Sequence, residues 1–438
     1  MSRSDTLAEP VGSVSFAAKP ARRLAQIGLT QSGLVPARPD PTPIPASSGL
    51  ALRATLAALV AAGLAAGAWR LSGEAGGTRL ALSLVFGALF GLVLQRSRFC
   101  FYCQWRDFLV LGDPRGMLGI LAALAAGIAG YAVVLGAWMP DPSGTRLAPD
   151  AHIGPVGPVL VLAGLVFGAG MAVSGSCISA HLYRLGEGSP TAPFALIGTA
   201  LGFGLGFLTW NPLYLVSLSD APVLWLPRHL GYAGTLALSL AALAALAWPL
   251  LRRLPAPEPV ARPDPLHAVF LAVFVARWPV WLGGLAVGAI GTLSYLRVGP
   301  LGVTAEIGGR TRQAAGSLGL LPDRLEGLDT FRGCATAVRD ALLTSNGLFI
   351  GGLVLAAFAA ALVAGQFRPA LPSPGQVVRG LTGGTLLGWG AMTGLGCSVG
   401  TLLSGIMAGA VSGWVFGVAM FAGAAGTLWL GRRVGVLA

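Results

Sequence analysis

The sequence predicts an all-α polytopic membrane protein with about ten transmembrane helices, four interleaved half-helices and an inverted internal repeat. Three observations predict it. The chain is 54% hydrophobic and 11% charged over 438 residues, where soluble proteins carry about 25% charged residues. Apolar runs of bilayer-crossing length, near 20 residues, recur along it. One glycine-spaced pattern ending in cysteine occurs twice, with Cys177 and Cys397 offset by 220 positions.

The elements follow in order. Residues 1–49 are rich in Pro, Ser and Ala and read as a disordered cytoplasmic tail, without the apolar core of a cleavable secretory signal. The first membrane half is 50–251, with its repeat core at 80–210. Its spans lie near 50–69, 80–96, 116–138, 156–174, 190–210 and 231–251. A cytoplasmic linker follows at 252–277. The second half, 278–438, has spans near 278–296, 347–366, 377–395 and 411–431, and an outer-loop insertion at 297–331. Four segments, roughly 99–111, 176–186, 332–345 and 397–406, are too short to cross alone. Inside a membrane such half-helices are tolerated only where they face protein or a water-filled cavity.

Basic residues orient the chain. Arg96, Arg98, Arg106 and Arg115, then Arg252, Arg253 and Arg262, then Arg432 and Arg433 put their loops and both termini on the cytoplasmic side. The insertion, with Arg310, Arg312 and Arg324, breaks this trend. In this topology span 156–174 and its copy 377–395 run in opposite directions, which makes the repeat inverted. Such repeats meet near the midplane in many transporters. The net charge of +12 reads first as topogenic and second as attraction for an anionic solute. Nucleic-acid binding is excluded, because no basic, aromatic-rich soluble module exists.

The repeated pattern carries the chemistry. Gly164, Gly168 and Gly170 precede Cys177 as Gly384, Gly388 and Gly390 precede Cys397. A second, weaker pair sets Cys100, followed by Arg106 and Asp107, against Cys334, followed by Arg339 and Asp340. A helix that begins inside the membrane aims unpaired N–H groups and its positive dipole end at what precedes it. Gly175-Ser176-Cys177, Leu395-Gly396-Cys397 and Gly333-Cys334 each put a thiol at such an end. A thiol is a weak S–H donor, poorly suited to replace the hydration of sulfate or phosphate and better suited to a soft, sulfur-bearing anion. Arg106 and Arg339 either neutralise an approaching anion or simply end a half-helix near water, and Asp107 and Asp340 are expected on a different face, as local charge balance or a proton site. Tyr183, Arg184 and Glu187 read as an inner vestibule, and His181 as packing. Cys103 has no counterpart at its own register and reads as ordinary burial of a small apolar residue. No catalytic residue, metal site or cofactor is expected.

The strings QRSRFCFYCQWRDFLVLGD, SGSCISAHLYRLGEGS and MTGLGCSVGTLLSGIMAGAVSGWVFG resemble the YeeE/YedE family of sulfur-compound transporters. The resemblance spans roughly 80–431. It implies uptake of thiosulfate across the bacterial inner membrane, an hourglass-like form with short helices at its waist, and cysteines that pass the ion by transient thiol hydrogen bonds. Those roles fall on Cys177 and Cys397, with Cys100 and Cys334. It also implies a small cytoplasmic sulfur carrier of the TusA type as a partner. The tail, the 297–331 insertion and Cys103 depart from the family pattern. Three alternatives stand beside this reading: a selenium compound as substrate, a membrane thiol–disulfide oxidoreductase using Cys100 and Cys103, and a passive channel.

Overall fold

The computed structural model describes residues 47–254, 271–331 and 343–435. Gly333, Cys334, Arg339 and Asp340, and nearly all of the 1–49 tail, lie outside the described residues. In lipid the backbone must satisfy its own hydrogen bonds, so spanning segments are helical or belong to closed barrels. Among the described residues there are helices and isolated bridges and no extended strand. In the first half, α1 is Ser47–Ser72, α2 Thr78–Ser97, α3 Phe101–Leu111, α4 Arg115–Trp138, α5 Pro158–Ser174, α6 Ile178–Gly186, α7 Ala192–Leu213 and α8 Leu226–Leu251. In the second, α9 is Val280–Arg297, α10 Ala305–Ser317, α11 Ser345–Val363, α12 Pro374–Thr393, α13 Ser398–Met407 and α14 Val411–Arg433.

Nine described stretches are long and apolar enough to cross a bilayer, and the pair α12 and α13, bent by 42°, would make a tenth. Local chemistry sets several boundaries. Pro158 and Pro374 occupy first helical positions, where a missing N–H costs nothing. Ser373 and Gln376 close a reciprocal capping box on α12. The segment α13 differs from the expected short α-helix. Ser398–Ser404 is wound as a π-helix, and only Gly405–Met407 is α-helical. The Cys397 carbonyl accepts from both the Thr401 and Leu402 amides, and the Thr401 hydroxyl bonds back to the Gly394 carbonyl at 2.9 Å. That tie to the preceding turn accompanies the wider winding.

Helix pairing repeats between the halves. The main neighbours are α2 with α11 and α9 with α4, then α5 with α14 and α12 with α7, while α2–α9 and α5–α12 pair copy with copy. Exchanging the halves maps this set onto itself. The repeated glycines show why at atomic scale. A Cβ on Gly168 would collide with the Met420 carbonyl and come within 2.7 Å of the Ala424 nitrogen. On Gly388 it would collide with the Thr199 carbonyl and come within 2.8 Å of the Phe203 nitrogen. Gly170 meets Gly383 O and Leu387 N, and Gly390 meets Ala163 O and Phe167 N. Two helices in lipid gain little from hydrophobicity, so small residues that let backbones touch supply the packing.

The segment read as an outer-loop insertion contains α10 and is docked. The Trp210 indole donates to the Glu326 carbonyl at 2.8 Å, and the Asn211 side chain exchanges bonds with Arg324 O and Glu326 N. Leu301, Val303 and Thr304, which lead into α10, are fully buried. Glu306 accepts from Arg310 at 2.7 Å and from the Thr344 hydroxyl, tying the insertion to the start of α11.

Candidate functional site

Cys100, Cys177 and Cys397 are the N-cap residues of α3, α6 and α13, and all three are completely buried. The turn that presents Cys177 is built by Gly175, whose positive φ of 83° ends α5 while its N–H bonds to Met171 O. Glycine takes this left-handed conformation without a steric penalty. Leu395, its equivalent at the 220 offset, also has a positive φ, 58°, although α12 is capped one residue earlier by Gly394 at φ −86°.

The structure brings Cys100 and Cys177 together, with their sulfurs 3.7 Å apart. The Cys177 sulfur also lies 3.3 Å from the Ser179 hydroxyl. The Cys103 amide donates to the Cys100 sulfur at 3.4 Å, and the Cys103 thiol faces the Gly175 carbonyl at 3.9 Å. Arg184 donates to the Cys103 sulfur at 3.2 Å. Cys103 therefore belongs to the thiol cluster, contrary to the expectation that it is mere filler. All four described cysteines are free thiols. Ser176 is fully buried with its hydroxyl unpartnered.

No described hydrogen bond joins Cys397 to the other three sulfurs. Its polar neighbours are the Val399 and Gly400 amides and the Thr304 hydroxyl. Thr304 is fully buried beside Cys397, and Ser398 is fully buried with its hydroxyl unpartnered. The turn before Cys397, from Thr393 to Leu395, lines a small cavity of about 10 Å³ with His152, Thr401 and Ser412. Gly396 packs against Thr401.

Arg106 pairs with the adjacent Asp107 at 2.8 Å, and both side chains are about a third exposed. The expectation that Asp107 points away fails because a guanidinium can fold back along the helix surface to its neighbour. His181 is buried with both ring nitrogens unpartnered, and no described group of His, Cys, Asp and Glu could hold a metal. Two site residues had different visibility in the sequence. Arg184 is seven residues after Cys177, hence on the same helix face two turns on. Thr304 carries no local signal, because only the docking of the insertion brings it to Cys397.

Broken helices with buried thiols at their starts, within a bundle of paired spans, define a polytopic α-helical membrane protein. The chain belongs to the sulphur-transport family, whose model matches residues 96–426. It is similar to the thiosulfate transporter TsuA of Spirochaeta thermophila, 29% identical over 365 residues that cover 79% of this chain and 97% of the relative. TsuA of Escherichia coli is 26% identical over 361 residues, 79% of this chain and 93% of that protein. The probable transporter YedE of Escherichia coli aligns over 143 residues at 27% identity, a third of each chain.

Proposed function

We propose that this protein imports thiosulfate, or a closely related sulfur-containing anion, across the bacterial inner membrane. The observation that carries the reading is the Cys100–Cys177 pair, two buried thiols 3.7 Å apart at the starts of two half-helices. Thiol hydrogens and helix N-termini offer weak, polarisable donors to a soft anion. No described carboxylate hydrogen-bonds to these sulfurs. The names of the two long-matching relatives support the substrate.

The pathway runs past Cys397 on the outer side and past Cys177 and Cys100 on the cytoplasmic side, with Cys334 as the expected partner of Cys397. The spans α2, α4, α5 and α7 match α9, α11, α12 and α14, five crossings later, and an odd offset gives the copies opposite sense. Both termini are then cytoplasmic, in keeping with the arginines of the 97–115 connection. A TusA-type sulfur carrier is the expected cytoplasmic acceptor. The thiol–disulfide alternative would instead join Cys100 to Cys103, whereas the described side-chain contacts of these two thiols run to Cys177 and to Arg184. Labelled thiosulfate uptake into proteoliposomes tests the proposal. Saturable uptake is expected, and a Cys177→Ala/Cys397→Ala protein that transports at the wild-type rate removes the thiol pathway.

A further inference from the structure

We infer that Arg184 is the specificity-determining clamp of this pathway, holding the oxygen end of the anion while the Cys100 and Cys177 thiols hold its terminal sulfur. The inference rests on the transport reading above and assigns a role to a residue outside the thiol set.

Three observations carry it. First, Arg184 aims inward. Its guanidinium donates to the Cys103 sulfur at 3.2 Å, and the Cys103 amide is bonded in turn to the Cys100 sulfur. The cation is thus one residue removed from the paired thiols. A merely topogenic arginine would extend its head to water, as long basic side chains near membrane surfaces do. Second, its charge is uncompensated. Among the described residues no carboxylate lies within ion-pair distance of it. A guanidinium offers five donors in a rigid fork, and a thiol is a weak acceptor. An oxyanion would displace that contact readily, because charge-assisted, forked bonds are the stronger kind. Third, the charge is not repeated at the matching position of the other copy. The 220 offset that maps Cys177 onto Cys397 maps Arg184 onto Ser404, which is buried with its hydroxyl unpartnered. Around Cys397 the described donors are hydroxyls and amides. Among the described residues the repeated scaffold therefore sets a guanidinium beside the Cys100–Cys177 thiols and a hydroxyl at the matching position after Cys397.

The chemistry follows from the two ends of the anion. Thiosulfate has one soft terminal sulfur and one hard trioxygenated end. Sulfate satisfies the guanidinium and not the thiols. Thiocyanate, soft and without sulfonyl oxygens, satisfies the thiols and not the guanidinium. Tight binding needs both, so Arg184 converts a general preference for soft ions into selection of a sulfur–sulfonate pair.

The experiment uses the full chain in proteoliposomes, with labelled thiosulfate uptake and competition by thiocyanate. Arg184→Gln is expected to raise the thiosulfate KM about tenfold or more, the loss of hydrogen bonds to a charged group. The inhibition constant for thiocyanate should change less than about threefold. Arg184→Lys keeps the charge and loses the fork, so it should remain impaired for thiosulfate by more than about threefold. The clamp is overturned if Arg184→Gln keeps the wild-type KM, if Arg184→Lys behaves as wild type, if both anions weaken by one common factor, or if thiocyanate does not compete in the wild type. Should Arg184→Gln fail to fold, Arg184→Lys still decides between fork and plain charge. A wild-type protein that takes up no thiosulfate instead defeats the transport reading, and the clamp falls with it.

Discussion

Replacing Gly168 or Gly388 by alanine adds one methyl group where two helices touch through their backbones. On Gly168 the new Cβ would overlap the Met420 carbonyl oxygen and sit 2.7 Å from the Ala424 nitrogen, where ordinary contact begins at 3.4 Å. The obstacle is backbone on both sides, so no rotamer change relieves it. Relief requires α5 and α14 to separate by on the order of 1 Å, which forfeits dispersion along the whole seam. Overpacking of this kind costs roughly 1–3 kcal/mol. Gly388→Ala meets the same obstacle from Thr199 and Phe203 across α12 and α7. Gly351 in α11 supplies the control, since nothing lies within 4 Å of its Cβ position. There alanine should gain up to about 1 kcal/mol from helix propensity. The difference between Gly168→Ala and Gly351→Ala should therefore reach about 2–4 kcal/mol. Thermal unfolding of the purified protein in detergent, followed by size-exclusion retention, reads it out. Lowered midpoints are expected for Gly168→Ala and Gly388→Ala, with Gly351→Ala unchanged or raised. If either repeat variant tracks Gly351→Ala, the backbone contacts are absent and the helix pairing described here is wrong.

Two further outcomes are expected. Mild oxidation with diamide should join Cys100 to Cys177, whose sulfurs need to close from 3.7 Å to the disulfide length of about 2.05 Å. Mass spectrometry that finds Cys100–Cys103 as the main bridge would contradict the cluster geometry and revive the oxidoreductase alternative. His152, in the connection between α4 and α5, has its imidazole pKa pushed down by burial, against an upward pull from the Gly400 carbonyl and Asp150. The folded state then binds fewer protons than the unfolded one, whose histidine titrates near about 6.5. Stability is lost as pH falls through that value. Comparing unfolding midpoints at neutral and mildly acidic pH should show a smaller drop for His152→Gln than for wild type, and an equal drop would sink the assignment.

Span existence was legible in the sequence because the bilayer imposes a local requirement: some twenty apolar residues in a row, wherever they sit in the chain. The half-helices at 99–111 and 176–186 were legible for the complementary reason, being apolar but too short. The glycine repeat was legible too, since helix contact selects small residues at fixed spacing on one helix. Whether the repeat meant packing or a site was not, and the backbone contacts of Gly168 and Gly388 assign it to packing. The winding of α13 was not legible, because the tie between Thr401 and Gly394 that accompanies it reaches outside the segment, beyond the reach of propensity.

By itself the sequence determined the membrane class, the order of the spans and the placing of Cys100, Cys177 and Cys397 at the heads of short segments. Hydropathy and helix punctuation are properties of neighbours in the chain. Only the tertiary structure decided which of these groups meet. It paired Cys100 with Cys177 across 77 positions, set Arg184 on Cys103, turned Arg106 aside to Asp107, and carried Thr304 from the insertion to Cys397. Each of those contacts depends on how closely two helices approach, a distance fixed by the whole packed bundle and written in no single stretch of the chain.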